Sequence, residues 1–236
     1  MRFLDDVTVE LVKHSASDTD VLWAARVSTA GEQSLAELEK DPGRSKGLIN
    51  YLMRDRHGSP FEHNSMTFFV SAPIFVFREF QRHRVGWSYN EESGRYRELQ
   101  PSFYVPGEGR KLVQEGKPGR YVFVDGTPEQ HKLVTQQMES AYRQSYAAYE
   151  EMLEAGVARE VARAVLPVGL FSTMYATCNA RSLMHFLSLR TQHEQARVPS
   201  FPQREIEMVA ERMEAVWAEL MPLTHAAFVA NGRVAP

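Results

Sequence analysis

Five arginines, Arg78, Arg82, Arg84, Arg95 and Arg97, fall within residues 78–97, a stretch without a lysine. A guanidinium presents a flat fork of donors that matches phosphate and carboxylate oxygens and stacks on flat rings; a lysine ammonium offers neither geometry. Ser88, Asn90, Ser93 and a glycine share the run QRHRVGWSYNEESGRYREL with them. The composition suits a site for a planar, phosphorylated ligand. It also suits a plainer role, a solvated loop salt-bridged through Glu79, Glu91, Glu92 and Glu98, and exposed pairs of that kind are common and weak.

Other residues carry chemistry at informative spacing. His57 and His63 flank SPFE with Glu62, but the spacing is not that of a helical HExxH, and Pro60 breaks any helix there; no metal is expected. A substrate-facing or structural role fits these histidines better, and Glu62 beside a turn suits a ligand donor or backbone amides. In AREVARAVLP, Arg159 and Arg163 share a helix face at four-residue spacing, and Arg163, among Val161, Ala164 and Val165, is the better candidate for partial burial. In NARSLMHFLSLR, Arg181 and His185 share a face. Arg190 is nine residues past Arg181, about half a revolution away. It therefore serves a different ligand or subunit, or merely offsets the helix dipole. Neither GxGxxG after a strand nor GxxxxGK[ST] is present, so phosphate or flavin binding must be built from side chains.

Cys178 is the only cysteine, which excludes an intrachain disulfide and a multi-cysteine zinc site. It follows the apolar MYAT and reads as a buried structural thiol rather than a nucleophile. Ser93 has no neighbouring base except His83 to activate it.

These residues need elements to hold them. VTVELVKH alternates like a strand, and Ser17 or Asp18 can cap a helix through DVLWAARVS. GRSKGLINYLMRDRH predicts a helix that stops near His57-Gly58. SMTFFVSAPIFVFREF, rich in aromatic and branched residues, predicts strands, with Pro73 interrupting a ladder or at an edge. The arginine-rich run that follows reads as loop, and 101–126 as an exposed excursion. Thr127-Pro128-Glu129-Gln130 opens a helix to about Glu154, and VAREVARAVLP gives a second, ended by Pro167. GLFSTMYATC reads as strand, Asn179 caps the helix ARSLMHFLSLR, ARVPSFPQ is a loop, and REIEMVAERMEAVWAELM is a long amphipathic helix. The order predicts an α+β class: one mixed domain over 1–236, with an antiparallel-type sheet flanked by long helices.

Composition bounds the function. The chain has 236 residues, 43% apolar and 24% charged, with net charge −3, so a general polyanion binder is disfavoured. The N-terminal segment has no apolar signal core and no run approaches a membrane span of about 20 apolar residues, which together with the lone cysteine predicts a cytoplasmic, non-membrane protein.

RHR, then Ser93 with Gly94-Arg95-Tyr96, resembles the signature of the flavin-dependent thymidylate synthases. HGSPFEHNSMTFFVSAPIFVFREFQRHR is similar to the segment preceding that signature, and ARAVLP and NARSLMHFLSLR to two downstream motifs, so the likeness spans most of the chain. The resemblance implies a homotetramer with FAD between subunits, and reductive methylation of dUMP to dTMP with methylenetetrahydrofolate as carbon donor and NADPH as reductant. By position it implies FAD contacts from Ser59, Glu62, Arg82, His83, Arg84, Asn179, Arg181 and His185, with His57 near flavin and folate. It implies a dUMP site of Glu79, Phe80, Gln81, Arg82, Glu91 or Glu92, Ser93, Gly94, Arg95 and Arg163. Arg190 lies by uracil N3 and O2 and favours the ionised base.

The chain departs from the family pattern in three places. Eight residues, not seven, separate RHR from the serine, with Gly86-Trp87 holding the extra one, so Glu91 and Glu92 are both candidates. His185 stands where asparagine is common. ARVPSFPQ looks inserted, and His193 falls one place early. The lone thiol in an apolar context favours a route in which reduced flavin delivers hydride and no enzyme sulfur attacks the ring. Two rivals remain: a non-catalytic RNA-binding module stacking Trp87, Tyr89 and Tyr96 on bases, and a flavoenzyme acting on another nucleotide or a folate.

Overall fold

The computed structural model describes residues 1–31, 42–117 and 120–236. Its elements are β1 (Arg2–Leu4), β2 (Thr8–Ser15), α1 (Asp18–Ala30), α2 (Pro42–Arg54), β3 (Ser65–Pro73), α3 (Ile74–Phe80), β4 (Trp87–Glu91), β5 (Ser102–Tyr104), β6 (Val113–Lys117), β7 (Arg120–Val124), α4 (Pro128–Glu154), α5 (Arg159–Ala162), β8 (Phe171–Cys178), α6 (Ala180–Arg190), α7 (Arg204–Leu220) and α8 (Pro222–Ala230), with 3-10 turns at Ser59–Glu62 and Arg163–Val165. The class is mixed α+β with an antiparallel four-stranded sheet in the order β2-β3-β8-β4. Two compact units divide the chain: Met1–Val7, Ser71–Glu79 and Glu91–Met174 form one, and Thr8–Val70, Phe80–Asn90 and Tyr175–Pro236 the other.

The first unit is built on the longest described helix. The Thr127 hydroxyl accepts from the Gln130 amide and the Gln130 side chain accepts from the Thr127 amide, the reciprocal cap that the sequence predicts. One face of α4 buries Tyr142, Tyr146 and Tyr149 beside Phe103 and Leu170. Tyr146 Oη donates to the Leu99 carbonyl at 3.0 Å and Tyr149 Oη accepts from the Leu99 amide at 3.3 Å. Two tyrosines thus clamp the end of the arginine-rich loop. β1 pairs in parallel with β5, and β6 with β7 as an antiparallel hairpin.

In the second unit, α7 buries Ile206, Val209, Ala210, Met213 and Trp217, the three-and-four spacing of one helix stripe. The open choice between Ser17 and Asp18 is resolved: Ser17 caps α1, its amide donating to Asp20 at 2.7 Å. Asp18 caps α8 instead, accepting from the Leu223 and Thr224 amides at 2.8 Å each.

Four expectations are corrected. IFVFREF is helix α3, not strand: Pro73 lacks an amide proton and ends β3, and Val76, Phe77 and Phe80 then point one way at helical spacing inside an all-apolar run. The first α3 amides, Ile74 and Phe75, donate to the Leu170 and Val168 carbonyls. The arginine run is not all loop, because Trp87–Glu91 forms β4, with Trp87 and Tyr89 stacked at 5.7 Å on one face. Residues 101–126 are not one exposed excursion: β5 is buried throughout, while the β6–β7 hairpin is open. VAREVARAVLP shortens to α5 and the 3-10 turn Arg163–Val165. Helix α8 is an addition to the expected elements.

Candidate active site

Helix α6 organises the first cluster. Its cap, Asn179, accepts from the Ser182 amide at 2.9 Å, and Asn64 accepts from the Ala180 amide at 2.8 Å while donating to the Phe61 carbonyl at 3.1 Å. Asn64 therefore fixes the α6 N-terminus to the Ser59–Glu62 turn. In the same first turn, Arg181 Nη1 donates to Glu62 and Nε donates to the Pro236 carbonyl at 2.6 Å. The guanidinium lies close over Gly58, where a Cβ would sit 2.5 Å from Arg181 Cζ, so any larger residue there would have to displace it. His57, just beyond α2, packs against the Tyr51 ring at 5.6 Å. His63 sits edge-on to Trp23, so the two histidines have different partners.

The RHR segment is a tight turn leaving α3. The His83 amide donates to the Phe80 carbonyl at 2.8 Å, and Tyr89 Oη lies within hydrogen-bonding distance of the His83 and Phe80 carbonyls, at 2.8 and 3.1 Å. Phe80 is fully buried, its ring stacked on Phe186 at 4.8 Å, and His83 meets Phe186 edge-on at 4.9 Å. Gly86 closes the turn at φ 69°, and a Cβ there would fall 2.0 Å from Ser182 Oγ, which donates to the Val85 carbonyl.

Arg190 Nε donates to His83 Nε2 at 3.1 Å. Burial, the Arg190 charge and the His185 charge together hold His83 down at about 4, so near neutral pH it is uncharged. Its Nε2 is then the acceptor and its proton sits on Nδ1. His185, on the same helix as Arg190, is also lowered, first by burial and then by Arg181 and Arg56. Arg82 and Arg84 are exposed, and neither pairs with a carboxylate among the described residues. Within the chain, Arg181 thus bonds to Glu62 and the Pro236 carbonyl and Arg190 to His83.

The second cluster lies in the other unit. Glu92 is committed to structure: its amide donates to the Thr173 carbonyl at 2.8 Å, its carboxylate accepts from Thr173 Oγ1, and it pairs with Arg97 at 3.1 Å. Glu91 forms no such ion pair among the described residues. Burial raises its carboxyl above the ordinary value and the Glu92 charge adds to this, against a hydrogen bond from Ser172 and the Arg163 charge. Ser93 caps its own turn, its carbonyl accepting from the Tyr96 and Arg97 amides. Gly94 is buried, and a Cβ there would meet Leu99 at 2.8 Å and Arg163 Cδ at 3.3 Å. Arg163 is thus half-buried against the loop, whereas Arg159 is exposed and pairs with Glu98. Arg95 pairs with Glu160 at 3.1 Å on the surface. The salt-bridged-loop reading accordingly holds for Arg97 through Glu92; Arg95 pairs instead with Glu160, outside the loop, and Arg82 and Arg84 pair with no carboxylate among the described residues.

Sequence reasoning missed Asn64 and Ser182, and named Tyr89 only for its ring and not for the hydroxyl that bonds to the RHR turn. Each works by bonding to backbone far along the chain or across a turn, which residue type and local spacing do not reveal. Cys178 is 2% exposed, and burial pushes its thiol well above the ordinary range. Among the described residues no group of three or more His, Cys, Asp or Glu could hold a metal, and no helix is long and apolar enough to cross a membrane.

A mixed α+β chain that places arginines on the turn after α3 and on one capped helix, without GxGxxG or GxxxxGK[ST], lies outside the usual dinucleotide-binding folds. The chain belongs to the family described as thymidylate synthase complementing protein, whose pattern matches residues 10–223. A flavin-dependent thymidylate synthase of Streptomyces avermitilis is 83% identical over 234 residues, covering 99% of this chain and 95% of that protein. One from Tropheryma whipplei is 58% identical over 99% of this chain and 97% of that one. Among solved structures, a UMP/dUMP methylase PolB from Streptomyces cacaoi bound with 5-Br dUMP superposes with TM-score 0.94 at 58% identity, covering all of both chains. The RNA-binding rival has no support from these likenesses.

Proposed function

We propose that this chain is a flavin-dependent thymidylate synthase that converts dUMP to dTMP, with methylenetetrahydrofolate as one-carbon donor and NADPH as reductant. The methylene carbon is transferred to uracil C5 and reduced to methyl by a hydride that originates on NADPH, leaving tetrahydrofolate and NADP⁺. The observation that carries a thiol-free route is the burial of Cys178, the chain's only sulfhydryl.

The residues fit FAD. Arg82 and Arg84 carry no carboxylate partner among the described residues, Arg181 lies over a bare Gly58, and Asn179, Ser59 and Glu62 stand on the same pair of elements. When bound, FAD supplies hydride transfer to the pyrimidine carbon. Arg190, turned by neutral His83, presents fixed positive charge to uracil N3 and O2 and stabilises the ionised base. In the other unit, Ser93, Gly94, Arg95 and Arg163 suit the nucleotide phosphate, and Glu91, not Glu92, is the carboxylate left to accept a ligand donor. The exposed Arg95–Glu160 pair costs little to exchange for a phosphate. Glu79, Phe80 (through its backbone) and Gln81 border this nucleotide, while His185 and His57 complete the flavin and folate side. We take residues 1–236 to work as one domain in a cytoplasmic homotetramer with FAD at subunit interfaces.

The test is an anaerobic single turnover. Protein carrying reduced FAD is mixed with methylenetetrahydrofolate and dUMP, or UMP in parallel. Flavin oxidation matched by dTMP is expected. A protein that stays colourless with added FAD, or a reduced flavin that dUMP and the folate leave untouched, contradicts the proposal.

A further inference from the structure

We propose that Arg233 is a positioning residue for Arg190, acting through Thr191 at the end of α6. The proposal rests on the assignment of Arg190 to the reaction.

Arg190 occupies the last residue of α6, where carbonyls lack intrahelical partners and helices ordinarily fray. Here the end is locked. The Thr191 amide and hydroxyl both donate to the Leu187 carbonyl, at 3.1 and 2.8 Å, and its own carbonyl accepts from Ser200 Oγ. The Thr191 hydroxyl in turn accepts from Arg233 Nη2 at 2.7 Å. The Arg233 carbonyl accepts from Ser188 Oγ at 2.8 Å. One residue therefore holds the chain both two positions before Arg190 and one after it.

Arg233 is itself over-determined. Its side chain is 2% exposed, and its fork grips both oxygens of Glu214 at 2.6 and 2.7 Å. His225 Nε2 lies 2.9 Å from Glu214 on the other side, and Arg233 packs over the Phe228 ring. The residue adopts φ 55°, a left-handed conformation that a side chain disfavours and that persists only where the surroundings impose it. A buried ion pair is weak evidence of a stability role, since apolar replacements often do as well. What an apolar side chain could not supply is the second arm of the fork that reaches Thr191. With His83 accepting from the Arg190 guanidinium, Arg190 is held at its head by His83 and at its foot by the Arg233–Thr191 link. A charge that must meet a developing anion gains from such support, because small displacements of catalytic groups cost large factors in rate.

The test compares kcat, flavin content and dUMP affinity in Thr191→Val, Thr191→Ser, Arg190→Lys and the Arg190→Lys/Thr191→Val double variant. Thr191→Val should keep flavin and dUMP affinity within about twofold yet lose kcat by about tenfold or more. Thr191→Ser, which keeps the hydroxyl, should restore kcat. In the Arg190→Lys background, Thr191→Val should cost less than about twofold further. Should Thr191→Val fail to retain flavin, Arg233→Lys, which can still neutralise Glu214 but cannot reach both partners, should show the same kcat-selective loss. Unaltered kcat in Thr191→Val, an equal loss in both backgrounds, or failure of Thr191→Ser to rescue overturns the positioning role. If Arg190→Lys itself turns over like wild type, the assignment of Arg190 falls as well; an impaired Arg190→Lys with a normal Thr191→Val overturns the Arg233 link alone.

Discussion

His83 shows how a single side chain couples stability to the site. Folded, it titrates at about 4; unfolded, near 6.5. Between those values the unfolded chain binds more protons, so stability falls as pH drops through this window and is unaffected by His83 above it. Protonation would also remove the acceptor that Arg190 uses. The His83→Asn variant should therefore lose less of its thermal midpoint than wild type between about pH 7.5 and about pH 5, a range that brackets the upper part of this window. Parallel pH profiles for the two proteins would show that His83 is not the group responsible. His185 is lowered in the same sense and retains its share in both. Glu214 sits at about 2: burial would raise it, but hydrogen bonds from Arg233 and His225 more than offset this, so it does not titrate in this range. Residue types and spacing alone marked Arg181 and Arg190 as candidates, because arginines at the ends and faces of a regular helix are legible, whereas His83 entered through the resemblance of the RHR run. Ser182 and Arg233 were not marked, and Tyr89 was marked only for its ring, since each owes its role here to a carbonyl or hydroxyl that local spacing does not bring near.

At the scale of elements, the turn between α3 and β4 sets where the RHR side chains point. Gly86 allows it, by its positive φ and by its contact with Ser182. The Gly86→Ala change is expected to destabilise the protein by about 1–3 kcal/mol, as for an overpacked site, read from urea midpoints, and to lower flavin content with it. A midpoint equal to wild type would mean the turn can relax without moving α6. Elements with strong termini, α4 from Thr127 and α6 from Asn179, were readable because their caps are local. Helix α3 was not, because its helical stripe is hidden in a run where nearly every residue is apolar and only Pro73 marks the change. Strand β4 was masked by glycine and polar residues, although Trp87 and Tyr89 alternate as a strand requires.

At the scale of the molecule, two units can be described, each by itself. In one, the tyrosines of α4 hold the Leu99 backbone at the end of the arginine-rich loop; in the other, the RHR turn packs on α6, with Arg190 bonded to His83. The α+β class followed from the mixed order of elements. The division into two interleaved units did not, because both are assembled from segments far apart in sequence. The only sulfur nucleophile the chain could offer is sealed inside β8. The central claim is that methyl transfer to dUMP proceeds without it. Turnover of flavin-loaded Cys178→Ala decides this: the variant should keep most of the wild-type kcat, and a folded, flavin-loaded but inactive protein would show that the thiol takes part.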